Sequence, residues 1–160
     1  MLSIRPATIE DAALLKTFIG ELADYERLSD EVTITIEDLQ RDGFGAQPKF
    51  RALIAEWNGE PAAYALFYRT YSTFIGRGGL FLEDLFVRIQ FRGKGIGKTL
   101  LAQLARIARD EQCYGVRWEV LDWNQPAIDF YKSLGAEFRD PWRSVSLADE
   151  PLQKLAEQGP

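Results

Sequence analysis

One segment, residues 80–111, constrains the fold more than any other part of the chain. A strongly apolar run at residues 80–87 is followed by a glycine-rich turn at residues 92–97 and then by apolar positions at helical spacing. Leucine, phenylalanine and valine in such a run favour a buried strand, and glycines let the backbone turn tightly into a helix. The segment therefore predicts a strand, a turn and a long amphipathic helix over residues 98–111.

The other elements are predicted from apolar periodicity and from turn signals. The Asn58-Gly59 step between two apolar runs is typical of a β-hairpin. Thr8 followed by Asp11 resembles a helix capping box in which aspartate replaces glutamate. The remaining elements are a strand at 2–6, helices at 14–22 and 36–41, strands at 50–57, 62–71 and 116–121, a helix at 126–134, one or two short strands within 136–147 and a helical tail from residue 150.

The order of these elements predicts the fold class. A hairpin-rich first half precedes a β-α-β-α-β second half, which favours an α/β (α+β) fold with a mixed sheet and helices on both faces. The chain has 160 residues, of which 46% are hydrophobic and 27% charged, so it can bury a real core. Because it contains no linker, repeat or low-complexity segment, we expect a single domain over residues 1–160.

Composition excludes several kinds of chemistry. The chain has no histidine and a single cysteine, Cys113, so it cannot form a Ser-His-Asp triad, a Cys-His dyad, a histidine-ligated zinc site or an internal disulfide. We expect Cys113 to be a buried structural thiol and the protein to bind no metal. A net charge of −5 argues against nucleic-acid binding; it suits a cationic partner, although it is also ordinary for a soluble protein.

The N-terminus carries charge early and lacks the apolar stretch of a signal peptide. No apolar run approaches the roughly 20 residues that a membrane helix needs. We therefore expect a cytoplasmic protein without a membrane partner.

The glycine-rich turn predicts an anion site, because a helix start offers free N–H groups and a favourable dipole to phosphate. Two nucleotide motifs fail: the P-loop needs glycine where Arg92 stands, and the dinucleotide fingerprint needs a third glycine at Lys98 or Leu100. The pattern R-x-x-G-x-G does fit, through Arg92, Gly95 and Gly97. A structural turn without a ligand is the alternative for this segment alone.

Together with other blocks, this turn resembles the acetyl-CoA pyrophosphate loop of the GNAT superfamily of N-acetyltransferases. Residues 124–136 match N-x-x-A-x-x-F-Y-x-x-x-G-A, which is similar to the C-terminal signature of that superfamily. Residues 21–26 and 42–45 resemble the diamine (spermidine/spermine) and thialysine acetyltransferase branch, and residues 121–125 are closer to its thialysine members. The resemblance extends from Ile4 to about Phe138, and the chain departs from the family at residues 140–142, an edge of the acceptor pocket.

The resemblance implies an N-acetyltransferase that moves acetyl from acetyl-CoA, its co-substrate, to a primary amine. The implied acceptor is a small cation, either a polyamine or diamine or a lysine-like amino acid such as thialysine, which attacks directly in a ternary complex. It also implies a homodimer. Two alternatives remain: a protein or peptide N-acetyltransferase, and a non-catalytic acyl-CoA-binding module.

Two residues are candidates for catalysis. Glu83 is a carboxylate within an apolar strand, where it is costly unless it is used or paired with lysine or arginine. By resemblance it contacts the acceptor amine, as a base directly or through water. Strand alternation predicts that Asp84 points to the opposite face, in a structural or secondary acceptor-binding role. The resemblance makes Tyr131 the acid for the leaving thiolate, although a tyrosine at this helical position also suits a core.

The resemblance further implies two sets of binding residues. Backbone N–H groups of Phe86 and Val87 would bond the thioester carbonyl, and Asn124 would bond the coenzyme arm while capping a helix. Arg117, if it faces the substrate, would favour an acceptor that carries a carboxylate. Lys94 and Lys98 suit phosphates but are equally consistent with solvated charge. The predicted coenzyme set is Leu85, Phe86, Val87, Arg92, Gly93, Lys94, Gly95, Ile96, Gly97, Lys98, Asn124, Pro126 and Ala127; the acceptor set is Tyr25, Glu26, Glu83, Arg117, Trp118 and Glu119.

Overall fold

The computed structural model describes residues 1–158, which divide into two compact parts, residues 1–121 and residues 122–158. The single domain over residues 1–160 stays a prediction. The first part holds β1 (Leu2–Pro6), α1 (Ala12–Glu26), α2 (Ile36–Phe44), β2 (Arg51–Trp57), β3 (Glu60–Ser72), β4 (Arg77–Val87), α3 (Ile96–Asp110) and β5 (Val116–Arg117). The second part holds α4 (Gln125–Ser133) and α5 (Asp149–Ala156).

The strands form one five-stranded sheet in the order β1-β2-β3-β4-β5. The neighbours from β1 to β4 are antiparallel, whereas β4 and β5 run parallel, so the predicted mixed sheet is confirmed. The predicted hairpin at Asn58-Gly59 is confirmed as well: both residues have positive φ, 53° and 82°, and the flanking Trp57 and Glu60 pair across the turn. Positive φ at both central residues matches the right-handed twist of the strands.

Apolar side chains cover both faces of the sheet. On the face that packs against α3, which we call the α3 face, Leu53, Phe67 and Leu80 meet Leu100 and Leu104 of the helix. On the opposite α1 face, the cluster consists of Leu15, Phe18, Leu22, Leu39, Ile54, Tyr64, Leu66 and Phe86. Burying a side chain of this size stabilises the fold by about 1.5–3 kcal/mol, and the flanking helices on both faces confirm the predicted fold class.

Polar residues fix where the first two helices begin. The Asp11 carboxylate accepts hydrogen bonds from the Thr8 amide at 2.8 Å and from the Arg5 guanidinium at 2.7 and 2.9 Å. This confirms the predicted capping box, which closes a 3-10 turn that leads directly into α1. Thr35 and Asp38 form a second capping box at α2, with both bonds at 3.0 Å. These bonds satisfy amides that a helix start leaves without an intrahelical partner.

One predicted strand is too long, and the prediction of one or two strands within residues 136–147 is wrong. The strand predicted at 116–121 is confined to Val116–Arg117, and the described residues between 136 and 147 form no strand. Apolar spacing shows that a residue suits a strand, but a strand persists only where its backbone meets a partner. The predicted helical tail is confirmed by α5. No helix within residues 1–158 combines the length and the apolar character needed to cross a membrane.

Candidate active site

A β-bulge in β4 determines how the candidate carboxylates are presented. The ladder pairs Leu66 with Asp84 but Phe67 with Leu82, so Glu83 is an extra residue that has no pairing partner in β3. Before the bulge, Leu80 and Leu82 belong to the core on the α3 face. After it, Leu85 and Val87 pack against that same core, so the alternation of faces changes phase at Glu83.

The phase change places both carboxylates on the α1 face. The Tyr68 hydroxyl donates to Glu83 Oε2 at 3.1 Å, and the Tyr64 hydroxyl donates to Asp84 Oδ2 at 2.9 Å. Both tyrosines lie on β3 four residues apart, an even spacing that keeps them on one face of the strand. The prediction that Asp84 points away from Glu83 is therefore wrong, because simple alternation assumes a strand without a bulge.

The environment separates the two carboxylates chemically. Glu83 is exposed and its hydrogen-bond partner is Tyr68 rather than a lysine or arginine, whereas Asp84 is only partly exposed. Burial raises the pKa of Asp84 to about 6, the negative charges of Glu83 and Glu26 add to this, and the Tyr64 hydrogen bond opposes it. Burial also raises the pKa of Glu26. The α1 face thus gathers carboxylates next to β4, which favours a cationic ligand.

The β4 and β5 strands separate immediately before the bulge. Their parallel pairing is limited to Leu80 with Val116 and Phe81 with Arg117, whereas β4 continues to Val87. Because the Arg88 amide donates to the Ala62 carbonyl at 3.0 Å, ladder alternation turns the Phe86 amide toward β3 and the amides of Leu85 and Val87 away from it. Of the two predicted carbonyl-binding amides, the ladder geometry therefore suits Val87 and does not suit Phe86.

The glycine-rich turn has the backbone of an anion site. Gly93 and Gly95 have φ of 76° and 77°, a left-handed conformation that L side chains rarely adopt. Gly95 is the N-cap of α3, and no side chain caps this helix. The amides of the first turn, including those of Ile96 and Gly97, are therefore placed to bind an anionic ligand. These residues fit the pyrophosphate of a coenzyme.

The basic side chains of the turn point toward aromatic rings. Arg92 Nε donates to the Val87 carbonyl at 3.0 Å, and its guanidinium lies 4.6 Å from the centre of the Tyr25 ring. The Lys94 ammonium lies 5.2 Å from the Trp57 ring, and Lys98 is exposed. Arg92 and Lys94 thus each lie against an aromatic ring, and the Arg92 side chain connects the turn to the end of α1.

A groove of about 470 Å³ lies beside this arginine. Arg88 holds one wall in place: it forms an ion pair with Glu21 at 2.8 Å, donates to the Pro61 carbonyl at 2.8 Å and stacks 4.6 Å from the Phe18 ring. Sequence reasoning missed Arg88, Glu21, Tyr64 and Tyr68, because each depends on a partner that is distant in sequence. The groove is lined by Glu21, Asp24, Tyr25, Phe86, Arg88, Ile89, Gln90 and Arg92.

The predicted acceptor residues after β4 fall on different faces. Arg117 pairs with Phe81, whose ring contacts that of Tyr68, so Arg117 lies on the α1 face, 5.0 Å from the Tyr114 ring. Glu119 acts on the same face: burial and Glu83 raise the pKa of Tyr68 most, and Glu119 raises it further. Trp118 packs against the core on the α3 face, so the structure does not bring it together with the carboxylates.

The second part of the chain carries the remaining candidates. Asn124 is buried and caps α4, its Oδ1 accepting a hydrogen bond from the Ala127 amide at 3.4 Å, and Pro126 lies in the first turn. This confirms the predicted N-cap. Tyr131 is buried on α4, and its role as an acid stays a prediction. Within residues 1–158, no group of three or more acidic, cysteine or histidine side chains is arranged to hold a metal ion.

Comparison with known proteins agrees with this geometry. A thialysine N-epsilon-acetyltransferase of Sus scrofa is 42% identical over 96% of both chains. The spermidine/spermine N(1)-acetyltransferase-like protein 1 of Homo sapiens is 39% identical over 96% of this chain and 23% of its own length. An integron cassette protein of V. cholerae superposes with a TM-score of 0.82 at 25% identity, over 98% of both chains. The model of the acetyltransferase (GNAT) family matches residues 15–136, and the chain belongs to this family of N-acetyltransferases.

Proposed function

We propose that the protein transfers acetyl from acetyl-CoA to a primary amine of a small cationic acceptor, with a lysine-like amino acid such as thialysine preferred over a polyamine. The observation that carries the proposal is the bulge, which brings Glu83 and Asp84 onto one face where β4 and β5 separate. The names of two similar proteins, a thialysine N-epsilon-acetyltransferase and a spermidine/spermine N(1)-acetyltransferase-like protein, refer to amines of this kind.

The residues suit the steps that amine acetylation requires. An alkyl amine with a pKa of about 10.4 arrives as an unreactive ammonium ion and must lose a proton before it attacks. Glu83, exposed and oriented by Tyr68, contacts this ammonium and promotes the loss, directly or through water. The Val87 amide bonds the carbonyl oxygen as it gains charge, and Tyr131 protonates the leaving thiolate. Acetyl-CoA supplies the activated acyl group in a ternary complex.

The same geometry supports a division between coenzyme and acceptor. The turn at Gly93 and Gly95 holds the pyrophosphate, and the free edge of β4 pairs with the extended arm of the coenzyme. The acceptor lies on the α1 face, where Glu26 and Glu119 attract its ammonium groups and Arg117 binds a carboxylate. We further propose that the enzyme is a homodimer, as the family resemblance implies.

Thiol release from acetyl-CoA, measured with thialysine, lysine, ornithine, putrescine and spermidine, tests the proposal. We expect the highest kcat/KM with the amino acids. Glu83→Gln should lower kcat/KM by about 100-fold, in the usual range for the loss of a side chain that takes part in proton transfer. Glu60→Gln, which changes an exposed glutamate at the start of β3, should leave it unchanged. Arg117→Gln should raise KM for the amino acids more than for putrescine.

Two outcomes would contradict this function. Coenzyme binding without turnover on any of these amines would favour a protein acceptor or a binding module. Equal losses in Glu83→Gln and Glu60→Gln would show that the glutamate at the bulge has no special part in the reaction.

A further inference from the structure

We propose that the base of this enzyme is a pair of carboxylates in which Asp84, positioned by Tyr64, receives the proton while Glu83 stays ionised and holds the acceptor ammonium. This inference rests on the proposed amine acetylation and assigns two residues to it. Asp84 becomes a catalytic residue, and Tyr64 a positioning residue that acts through it.

The position of Tyr64 supports this assignment. Its side chain is fully buried, and its ring stacks on Phe18 with centroids 5.1 Å apart and planes 13° from parallel. The ring therefore cannot swing, and its hydroxyl is fixed 2.9 Å from Asp84 Oδ2. Burial and the neighbouring carboxylates raise the pKa of Tyr64 well above its ordinary value, so the hydroxyl stays protonated and acts only as a donor to Asp84.

The two carboxylates differ in the way that a proton-sharing pair requires. Glu83 is exposed to solvent, whereas the neighbouring Asp84 is partly buried, and no ion pair with Asp84 occurs in residues 1–158. Neighbouring carboxylates resist double ionisation, so the more buried one takes the first proton. The charged and titratable groups that act on Asp84 from adjoining elements are Glu26 of α1, Tyr64 of β3 and Glu83 of β4. Tyr68 and Glu119 lie near Glu83 and each other on the same side of the sheet.

The step balances without any further reactant. The N–H bond of the bound ammonium breaks, an O–H bond forms on Asp84, and the electron pair stays on nitrogen, which attacks the thioester carbonyl. The C–N bond forms as the C–S bond breaks, and the leaving thiolate takes a proton from Tyr131. The new amide nitrogen loses its second proton to water, and water reprotonates Tyr131. Glu83 keeps its charge throughout and can return to binding the next ammonium. Asp84 later releases its proton to water. A carboxyl with a pKa of about 6 is ionised at neutral pH and is still a useful base there.

The test combines a direct titration with kinetics on the full-length protein. The Asp84 carboxyl carbon, assigned by its loss in Asp84→Asn, is titrated by ¹³C NMR in wild type, Tyr64→Phe and Tyr68→Phe. Because the Tyr64 bond favours the ionised form, its removal should raise the pKa of Asp84 by about one unit. The acid limb of kcat/KM against pH should move upward by the same amount. Tyr68→Phe, which removes a hydroxyl from Glu83 instead, should leave both midpoints in place.

Each outcome of the titration and the kinetics either supports or overturns the assignment of Asp84 as the proton acceptor. The proposal is supported if the kinetic limb follows the Asp84 titration through all three proteins and disappears in Asp84→Asn. It is overturned if Asp84 titrates at an ordinary aspartate pKa, or if Tyr64→Phe shifts the titration while the kinetic limb stays where it was. A wild type that acetylates no amine would refute the proposed function itself, and the NMR titration would still report separately whether Tyr64 controls Asp84.

Discussion

Gly79 has no room for a side chain, and its replacement by alanine gives the sharpest test of the packing around the acceptor face. A Cβ at this position would lie 2.4 Å from Cε1 and 2.5 Å from Cζ of Tyr114. Carbon atoms prefer a separation of about 3.5–4.0 Å, so the ring would have to move by roughly 1 Å. The Tyr114 amide is tied to the Gly78 carbonyl at 2.8 Å, and Arg117 lies over the ring, so the ring cannot move freely.

We therefore expect Gly79→Ala to lower the free energy of unfolding by about 1–3 kcal/mol, the usual cost of overpacking. Urea denaturation measures the change. Gly78→Ala is the matched control, because its Cβ would come closest to the flexible end of Arg69, at 3.1 Å, and would make an ordinary contact of 3.5 Å with the Thr70 carbonyl oxygen. Its effect on the free energy of unfolding should stay within about 0.5 kcal/mol. In a Tyr114→Ala background, Gly79→Ala should cost almost nothing. Equal stability of the two glycine variants would refute the reasoning.

Three further predictions concern the first helix, the turn and the second part of the chain. Asp11→Asn should lower the free energy of unfolding by about 2 kcal/mol at pH 7, as measured by urea denaturation. The hydrogen bond with Arg5 is the main cause that lowers the pKa of Asp11 to about 2, so this loss of stability should shrink as pH falls from 4 to 2. Gly95→Ala and Gly59→Ala, both at positive φ, should each lower the free energy of unfolding by about 1 kcal/mol. Only Gly95→Ala should also weaken the binding of acetyl-CoA, as measured by calorimetry. Tyr131→Phe should lower kcat with acetyl-CoA by about 100-fold, and most of this loss should disappear with an acyl donor whose leaving thiol is more acidic. An equal loss of kcat with acetyl-CoA and with the more acidic donor would count against the acid role.

Local chemistry made several elements predictable. The hairpin at Asn58-Gly59 and the capping box at Thr8 follow from residues close in sequence, whose conformations and hydrogen bonds need no distant partner. The left-handed glycines of the turn are of the same kind, since only glycine takes that conformation without strain. For such features, the sequence pattern and the physical cause occupy the same few residues.

The strand predicted within residues 136–147 shows the limit of prediction from local pattern. Its apolar residues suit a strand, yet Trp142 and Val145 are exposed and no strand forms in this described segment. Similarly, β5 ends at Arg117 although the apolar pattern continues beyond it. A strand needs a partner along its whole length, and periodicity says nothing about whether one is present.

The sequence by itself determined the order of the main elements, the glycine-rich turn and the strand, β4, that carries Glu83 and Asp84. Only the tertiary structure decided that Glu83 and Asp84 share a face of the sheet. It also decided that Tyr68 donates a hydrogen bond to Glu83 and Tyr64 donates one to Asp84. The physical reason is that a bulge depends on the register between two strands. One inserted residue in β4 reverses every side chain beyond it, and no pattern within β4 alone marks where the insertion falls.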